Sequence, residues 1–198
     1  VNRGISDLGV LAAVSRIERH RFVDEALQVR AYDDHPLPIG ERQTISQPYM
    51  VGLMTQALEL RGHERVLEIG TGCGYQTAVL AELVATVYTV ERLAVLAAAA
   101  RTTLEAVGYT NVVTRIGDGS LGWPEEGPFD AILVPAGTPQ VPRPLVAQLG
   151  MGARLVFPIG EEELQTLVRI RKEEQGLQEE YFGDCRFVKL VGRYGWRR

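Results

Sequence analysis

The stretch Arg65-Val66-Leu67-Glu68-Ile69-Gly70-Thr71-Gly72-Cys73-Gly74 constrains this chain more than any other. Val66, Leu67 and Ile69 form a short apolar run, the pattern of a strand covered on both faces. Glycines at every second position then let the backbone turn tightly and come close to a bound molecule. A helix is expected to begin at Tyr75, with its first N–H groups pointing back toward that molecule. Strand, glycine turn and helix in this order imply a site for a nucleotide-like cofactor.

The segments that follow alternate. Residues 86–90 read as a second strand ending at Glu91. Residues 93–107 read as a helix with Leu93, Leu96, Ala100, Leu104 and Val107 on one face. A third strand is expected over residues 111–116, ending in Gly117-Asp118-Gly119, and a fourth over residues 129–134. A helix over 141–149 and a fifth strand over 153–158 complete the pattern. Strands separated by helices predict an α/β, Rossmann-like, doubly wound and mostly parallel sheet. Residues 165–171 and 186–191 read as strands with only a polar turn between them. They would form an antiparallel edge hairpin and bring the sheet to seven strands.

Ahead of the glycine turn, Ser6-Asp7 would cap a helix carrying Leu8, Leu11, Val14 and Ile17, and residues 22–32 read as a second short helix. Two prolines and a glycine keep residues 33–40 irregular. Residues 42–45 are expected to be briefly extended. Ser46 then sits where a helix would be capped, with Pro48 in its first turn. Met50, Leu53, Met54, Ala57 and Leu58 recur at helical spacing behind it. One domain is expected: an N-terminal helical cover over 1–60, a cofactor-binding core over 61–160, and antiparallel strands over 161–198.

The balance of residues narrows the partners. A net charge of -4 leaves no basic surplus for nucleic acid. No apolar run approaches the roughly 18 residues of a membrane span, and no signal peptide opens the chain. Two cysteines, Cys73 and Cys185, give no disulfide framework, so a reducing cytoplasm is expected. The first residue is Val1 rather than Met, which leaves room for a short missing N-terminal piece. A monomer is expected.

The spacing G-x-G-x-G differs from G-x-G-x-x-G and lacks the lysine of a phosphate loop. Glu91 stands seventeen residues after Gly74, where a carboxylate can accept from both hydroxyls of a ribose. Asp118 ends the third strand at the same edge of the sheet, placed to accept from an adenine amino group. Both could instead be simple strand-end caps. Glu68, inside the first strand, reads as structural. His20, His35 and His63 have no partner at motif spacing and suit surface or capping roles.

Val66-Leu67-Glu68-Ile69-Gly70-Thr71-Gly72-Cys73-Gly74 resembles the first motif of Rossmann-type S-adenosylmethionine-dependent methyltransferases. More narrowly, the chain resembles the protein-L-isoaspartate O-methyltransferase family. The likeness runs in order through Pro36-Leu37-Pro38-Ile39-Gly40, Gln43-Thr44-Ile45-Ser46-Gln47-Pro48-Tyr49, Gly74-Tyr75-Gln76-Thr77-Ala78-Val79-Leu80-Ala81, Val90-Glu91-Arg92, Gly117-Asp118-Gly119, Pro128-Phe129-Asp130-Ala131-Ile132 and Arg186-Phe187-Val188. The segment around Thr44-Ile45-Ser46 is specific to that family, whereas the glycine turn is shared by the superfamily.

The resemblance implies transfer of a methyl group from S-adenosylmethionine to the free α-carboxylate of L-isoaspartyl residues in damaged proteins. A carboxylate with pKa near 4 is already ionised at pH 7, so no general base is required. No metal is expected either, since the donor is activated by its own positive charge. Ser46 takes the place of the family's active-site serine and would orient the carboxylate, a role that can coexist with helix capping. Thr44 and Ile45 would line the same pocket, with the proline-rich stretch as its cover. Gly70, Thr71, Gly72 and Gly74 would approach the amino-acid end of the cofactor. Glu91, Arg92, Asp118 and Gly119 would hold its nucleoside end.

Three positions depart from the family pattern. Pro135-Ala136-Gly137 follows the fourth strand in place of Thr-Ala or Gly-Ala, Lys189 replaces a common proline, and Gly152-Ala153 replaces Gly-Gly. The departures at Pro135 and Lys189 keep open a different peptide or small-molecule carboxylate as the acceptor. A non-catalytic S-adenosylmethionine-binding protein is the reading from another class, opposed by the intact Ser46, Glu91 and Asp118. A nicotinamide dehydrogenase fits least, given the glycine spacing.

Overall fold

A computed structural model describes residues 4–197. Helix α1, Leu8–Arg16, is capped by the Asp7 side chain, which accepts from the Val10 N–H. The expected helix over 22–32 is instead a pair of 3₁₀ turns, Arg19–Phe22 and Glu25–Arg30. Strands β1, Leu37–Pro38, and β2, Thr44–Ile45, pair as a small antiparallel hairpin. Only two of the four residues expected to be extended over 42–45 are so, because Arg42 turns at φ 58°. Helix α2, Pro48–Ala57, follows, and its N-cap is Gln47. Ser46 therefore stands one residue outside the cap that its spacing suggests.

The main sheet begins with β3, Arg65–Ile69, then α3, Tyr75–Ala81, and β4, Thr86–Glu91. Helix α4, Ala94–Ala106, β5, Val112–Ile116, and β6, Phe129–Leu133, come next. Helix α5, Arg143–Ala147, is held to five residues between Pro142 and β7, Leu149–Gly160. Strands β8, Gln165–Glu173, and β9, Gly176–Cys185, end the sheet. The order is β5-β4-β3-β6-β7-β8-β9, with the first five strands parallel and the last two antiparallel. The seven-stranded, mostly parallel α/β architecture expected from the sequence is present.

The edge strand is the one correction to the sheet. It is Gly176–Cys185 and not residues 186–191, which instead cross the end of the sheet and touch it through a bridge between Gly137 and Lys189. Most of β9 is exposed, so burial imposes no alternation on it, and charged residues suit an unpaired edge.

Side chains from β3 alternate between two cores, as the strand period of two requires. Val66 joins Met54, Leu58, Leu80, Val87 and Val156 under α2 and α3. Leu67 and Ile69 join Ile132, Leu145, Phe157 and Leu190 on the opposite face. A third cluster seats α1 and the 3₁₀ turns on α3, through Phe22, Leu37, Tyr75 and Val79. This stacking brings residues 19–46 over the carboxyl ends of β3 and β4. Among the described residues no helix is long and apolar enough to cross a membrane.

Candidate active site

Strand order reverses on either side of β3, which has β4 on one flank and β6 on the other. Such a switch point opens a crevice at the carboxyl ends of the strands. The glycine turn fills that position with Gly70, Gly72 and Gly74 at φ 102°, 55° and 90°, a backbone that other residues adopt only under strain. A cleft opens above it. Ile39, Thr44, Ile45 and Ser46 line one side, Gly70, Thr71 and Gly72 the floor, Glu91, Arg92 and Gly119 the far end. Nine of the eleven expected site residues line this cleft, and the two exceptions, Gly74 and Asp118, are instructive.

Gly74 does not line the cleft. It caps α3 and lies against α4, where a Cβ would come within 3.2 Å of Leu104. Asp118 faces a neighbouring cavity with Arg115, Leu121 and Tyr194. Its Oδ1 accepts from the Ser120 N–H at 2.9 Å and hydroxyl at 2.6 Å, and its Oδ2 accepts from the Arg193 N–H at 2.8 Å. The backbone turn that reaches Asp118 passes so close that a Cβ on Gly192 would lie 2.1 Å from Oδ1.

Glu91 is 6% exposed and buttresses the turn. Its Oε2 accepts from the Gly72 N–H at 3.0 Å and its Oε1 from the Leu93 N–H at 2.9 Å. A carboxylate has about four acceptor sites, so each oxygen keeps capacity for a further donor. Thr71 and Thr89 hydroxyls meet at 2.7 Å behind the turn. Glu68 lies beneath, with Oε2 accepting from Thr77 at 2.5 Å and Thr89 at 2.7 Å, and Oε1 without a partner. Burial pushes the Glu68 carboxyl up to about 8. The expected structural role of Glu68 agrees with this placement. Burial likewise pushes the Cys73 thiol up to about 11, which makes it a poor nucleophile.

Ser46 stands where two hollows meet. It lines both the cleft and an adjoining groove of Pro36, Gln47, Tyr49, Met50, Arg186 and Phe187, and Thr44, Pro135 and Val188 are shared with it. Gln47 is the helix cap, so the Ser46 hydroxyl is not drawn into capping and makes no hydrogen bond to the described residues. Sequence reasoning missed Arg19, Tyr75 and Gln76 around this point. Charged neighbours at Glu18, His20 and Arg21 make Arg19 look like part of a solvated face, although it is 1% exposed. Lys189, one of the departures, lines the cleft while its Nζ pairs with Glu162 at 2.6 Å.

A parallel sheet with this glycine turn after its first strand, and an acid at the end of the next strand braced on that turn, has the architecture of Rossmann-like methyltransferases. Residues 1–195 match the family model described as Protein-L-isoaspartate(D-aspartate) O-methyltransferase (PCMT). The chain is 57% identical over 196 residues to protein-L-isoaspartate O-methyltransferase 1 of Syntrophobacter fumaroxidans, covering 99% of this chain and 92% of that one. It is 58% identical over 198 residues to the protein-L-isoaspartate O-methyltransferase of Trichlorobacter lovleyi, covering 100% and 91%. A solved Plasmodium falciparum chain in complex with S-adenosyl-L-homocysteine superposes with a TM-score of 0.83 at 27% identity, over 96% of this chain and 94% of that one. Another solved protein-L-isoaspartate O-methyltransferase gives 0.88 at 31% identity over 98% of this chain, which spans 64% of that longer one. The chain belongs to the protein-L-isoaspartate(D-aspartate) O-methyltransferase family.

Proposed function

We propose that this chain methylates the free α-carboxylate of L-isoaspartyl residues in damaged proteins and peptides, with S-adenosylmethionine as donor. The observation that carries the reading is the Ser46 hydroxyl, without a hydrogen bond among the described residues, at the junction of the cleft and an adjoining groove. The donor supplies a methyl group on a sulfonium that is already electrophilic. Glu91 accepts from the ribose hydroxyls with its remaining lone pairs, and Gly70, Thr71 and Gly72 hold the amino-acid end. No atom lies within 4 Å of where a Cβ on Gly70 would stand, which leaves room for that close approach. Thr44, Ile45, Arg92 and Gly119 form the walls. Asp118 receives the adenine amino group beside its present backbone donors.

The acceptor peptide lies in the groove, and Ser46 donates to one oxygen of its carboxylate so that the other faces the methyl group. That oxygen attacks the methyl carbon, the carbon–sulfur pair leaves with sulfur, and a methyl ester and S-adenosylhomocysteine result. One negative and one positive charge disappear, so a cleft that excludes water favours the step. Alignment of two held reactants can supply about 7 kcal/mol or more. A monomer is part of this reading, and one chain lines both cleft and groove. Two unpaired cysteines, Cys73 and Cys185, suit a reducing cytoplasm.

Paired peptides that differ only in L-isoaspartyl or normal aspartyl test the reading, with methyl-labelled S-adenosylmethionine. Base-labile label is expected in the isoaspartyl peptide alone. Label in neither peptide, with the donor still bound, would overturn it. Ser46→Ala should slow transfer with donor affinity almost unchanged, and Glu91→Ala should weaken the donor's binding.

A further inference from the structure

Arg19 is a buried cation that donates hydrogen bonds to backbone carbonyls. It lies in the 3₁₀ turn Arg19–Phe22 and is 1% exposed, and the Asp34 carboxylate acts on it electrostatically. Its Nε donates to the Ala31 carbonyl at 2.7 Å and its Nη2 to the Ser46 carbonyl at 2.8 Å. The guanidinium stacks 4.7 Å from the centroid of the Tyr75 ring, and Tyr75 is the first residue of α3, directly after the glycine turn. Nη1 and the Tyr75 hydroxyl are both buried, and neither makes a well-formed hydrogen bond to the described residues. Burial lowers the Arg19 pKa, and Tyr75 beside it works in the opposite direction.

Burying an arginine on carbonyls and an aromatic face is costly, and a core could be packed more simply with an apolar side chain. The arrangement has a geometric consequence instead. One rigid, planar group touches the segment that carries Ser46 and the helix that carries the glycine turn. These are the two parts of the molecule that must be held in register for a methyl group to pass between their ligands.

We propose that Arg19 is a positioning residue that fixes Ser46 relative to the glycine turn, by gripping the Ser46 carbonyl while its guanidinium rests on Tyr75. It touches neither reactant. This inference rests on the reading of Ser46 as the group that aims the acceptor carboxylate. Loss of the grip lets the 44–47 segment shift, and a displacement of about 1 Å at a reacting group costs on the order of 100-fold in rate.

The test is a double-mutant cycle on the full chain, read by single-turnover methyl transfer to an isoaspartyl peptide. Arg19→Lys keeps the charge without the planar fork, and Arg19→Gln keeps one donor without the charge. Each should slow transfer by about tenfold to a hundredfold, with the donor's dissociation constant within about threefold of the parent. In a Ser46→Ala background the same Arg19 substitutions should cost less than about threefold, because the group they act through is already gone. A merely structural role would not produce that collapse. Costs that multiply across the cycle would overturn the inference while leaving Ser46 in place. A silent Ser46→Ala single variant would overturn the reading of Ser46 and this inference with it. If neither Arg19 variant folds, the residue is a structural support and the inference fails.

Discussion

Glu68→Gln offers the most direct physical check on the interior of the site. Glu68 is fully buried under the glycine turn, and burial raises its carboxyl from an ordinary 4.5 to about 8. Between those values the unfolded chain releases a proton that the folded chain keeps. Stability therefore falls as pH rises, by about 1.4 kcal/mol per pH unit. The contribution is complete below pH 4.5 and fully lost above pH 8. At pH 7 the penalty reaches about 3 kcal/mol, a large share of the stability of an ordinary domain. Glutamine keeps a carbonyl oxygen for Thr77 and Thr89 but cannot titrate. Urea unfolding of both proteins without donor, at several values from pH 5 to pH 9, gives the difference directly. Glu68→Gln should gain on the parent by about 3 kcal/mol between pH 5 and pH 8 and then level off. A difference that stays flat over that range would show an ionised Glu68 in the folded protein and refute the reasoning.

Three further expectations concern other parts of the fold. Glu59 gathers Arg154, Arg169 and Arg171 at 2.8, 2.7 and 2.6 Å, so Glu59→Gln leaves three guanidiniums without their shared anion. With the Glu59 side chain 41% exposed, the loss should be about 2 kcal/mol in urea unfolding and should narrow in high salt. Gly119→Ala would bring a Cβ within 2.5 Å of Ile69 Cγ2, which should cost about 1–3 kcal/mol and weaken S-adenosylmethionine binding by calorimetry. The Cys73 and Cys185 thiols, raised to about 11 and about 12 by burial, should react with iodoacetamide at pH 8 at least about 100-fold more slowly than free cysteine. Unfolding in urea should restore ordinary rates.

The interior of the fold was legible because burial writes a pattern into sequence. Strands β3, β4 and β6 are apolar on both faces, and α4 repeats its apolar residues at helical spacing, so each is found within a residue or two. Strand β9 carries no such pattern, since nearly every residue of Gly176–Cys185 faces solvent. The apolar residues 186–191 attract a strand reading because Leu190 is buried, yet it is buried by crossing the sheet end rather than by joining it. Short 3₁₀ turns at 19–30 lack the length over which a period of 3.6 declares itself.

Within the site, legibility followed the same division between local and distant causes. The glycine turn can be read because its conformation alone demands glycine, and Glu91 because its carboxylate closes back on that turn. Asp118 is at the expected strand end, but Ser120 and Arg193 hold its oxygens, and no local signal announces a contact from 75 residues away. Ser46 shows how one residue decides between two chemistries. Its spacing before Pro48 matches a cap as well as an active-site serine, and a capping hydroxyl would be spent on the N–H groups of α2. Gln47 takes the cap position instead, while Arg19 grips the Ser46 carbonyl from behind. The Ser46 hydroxyl is left with donor capacity at the junction of cleft and groove, the position that the proposed aiming of an acceptor carboxylate requires.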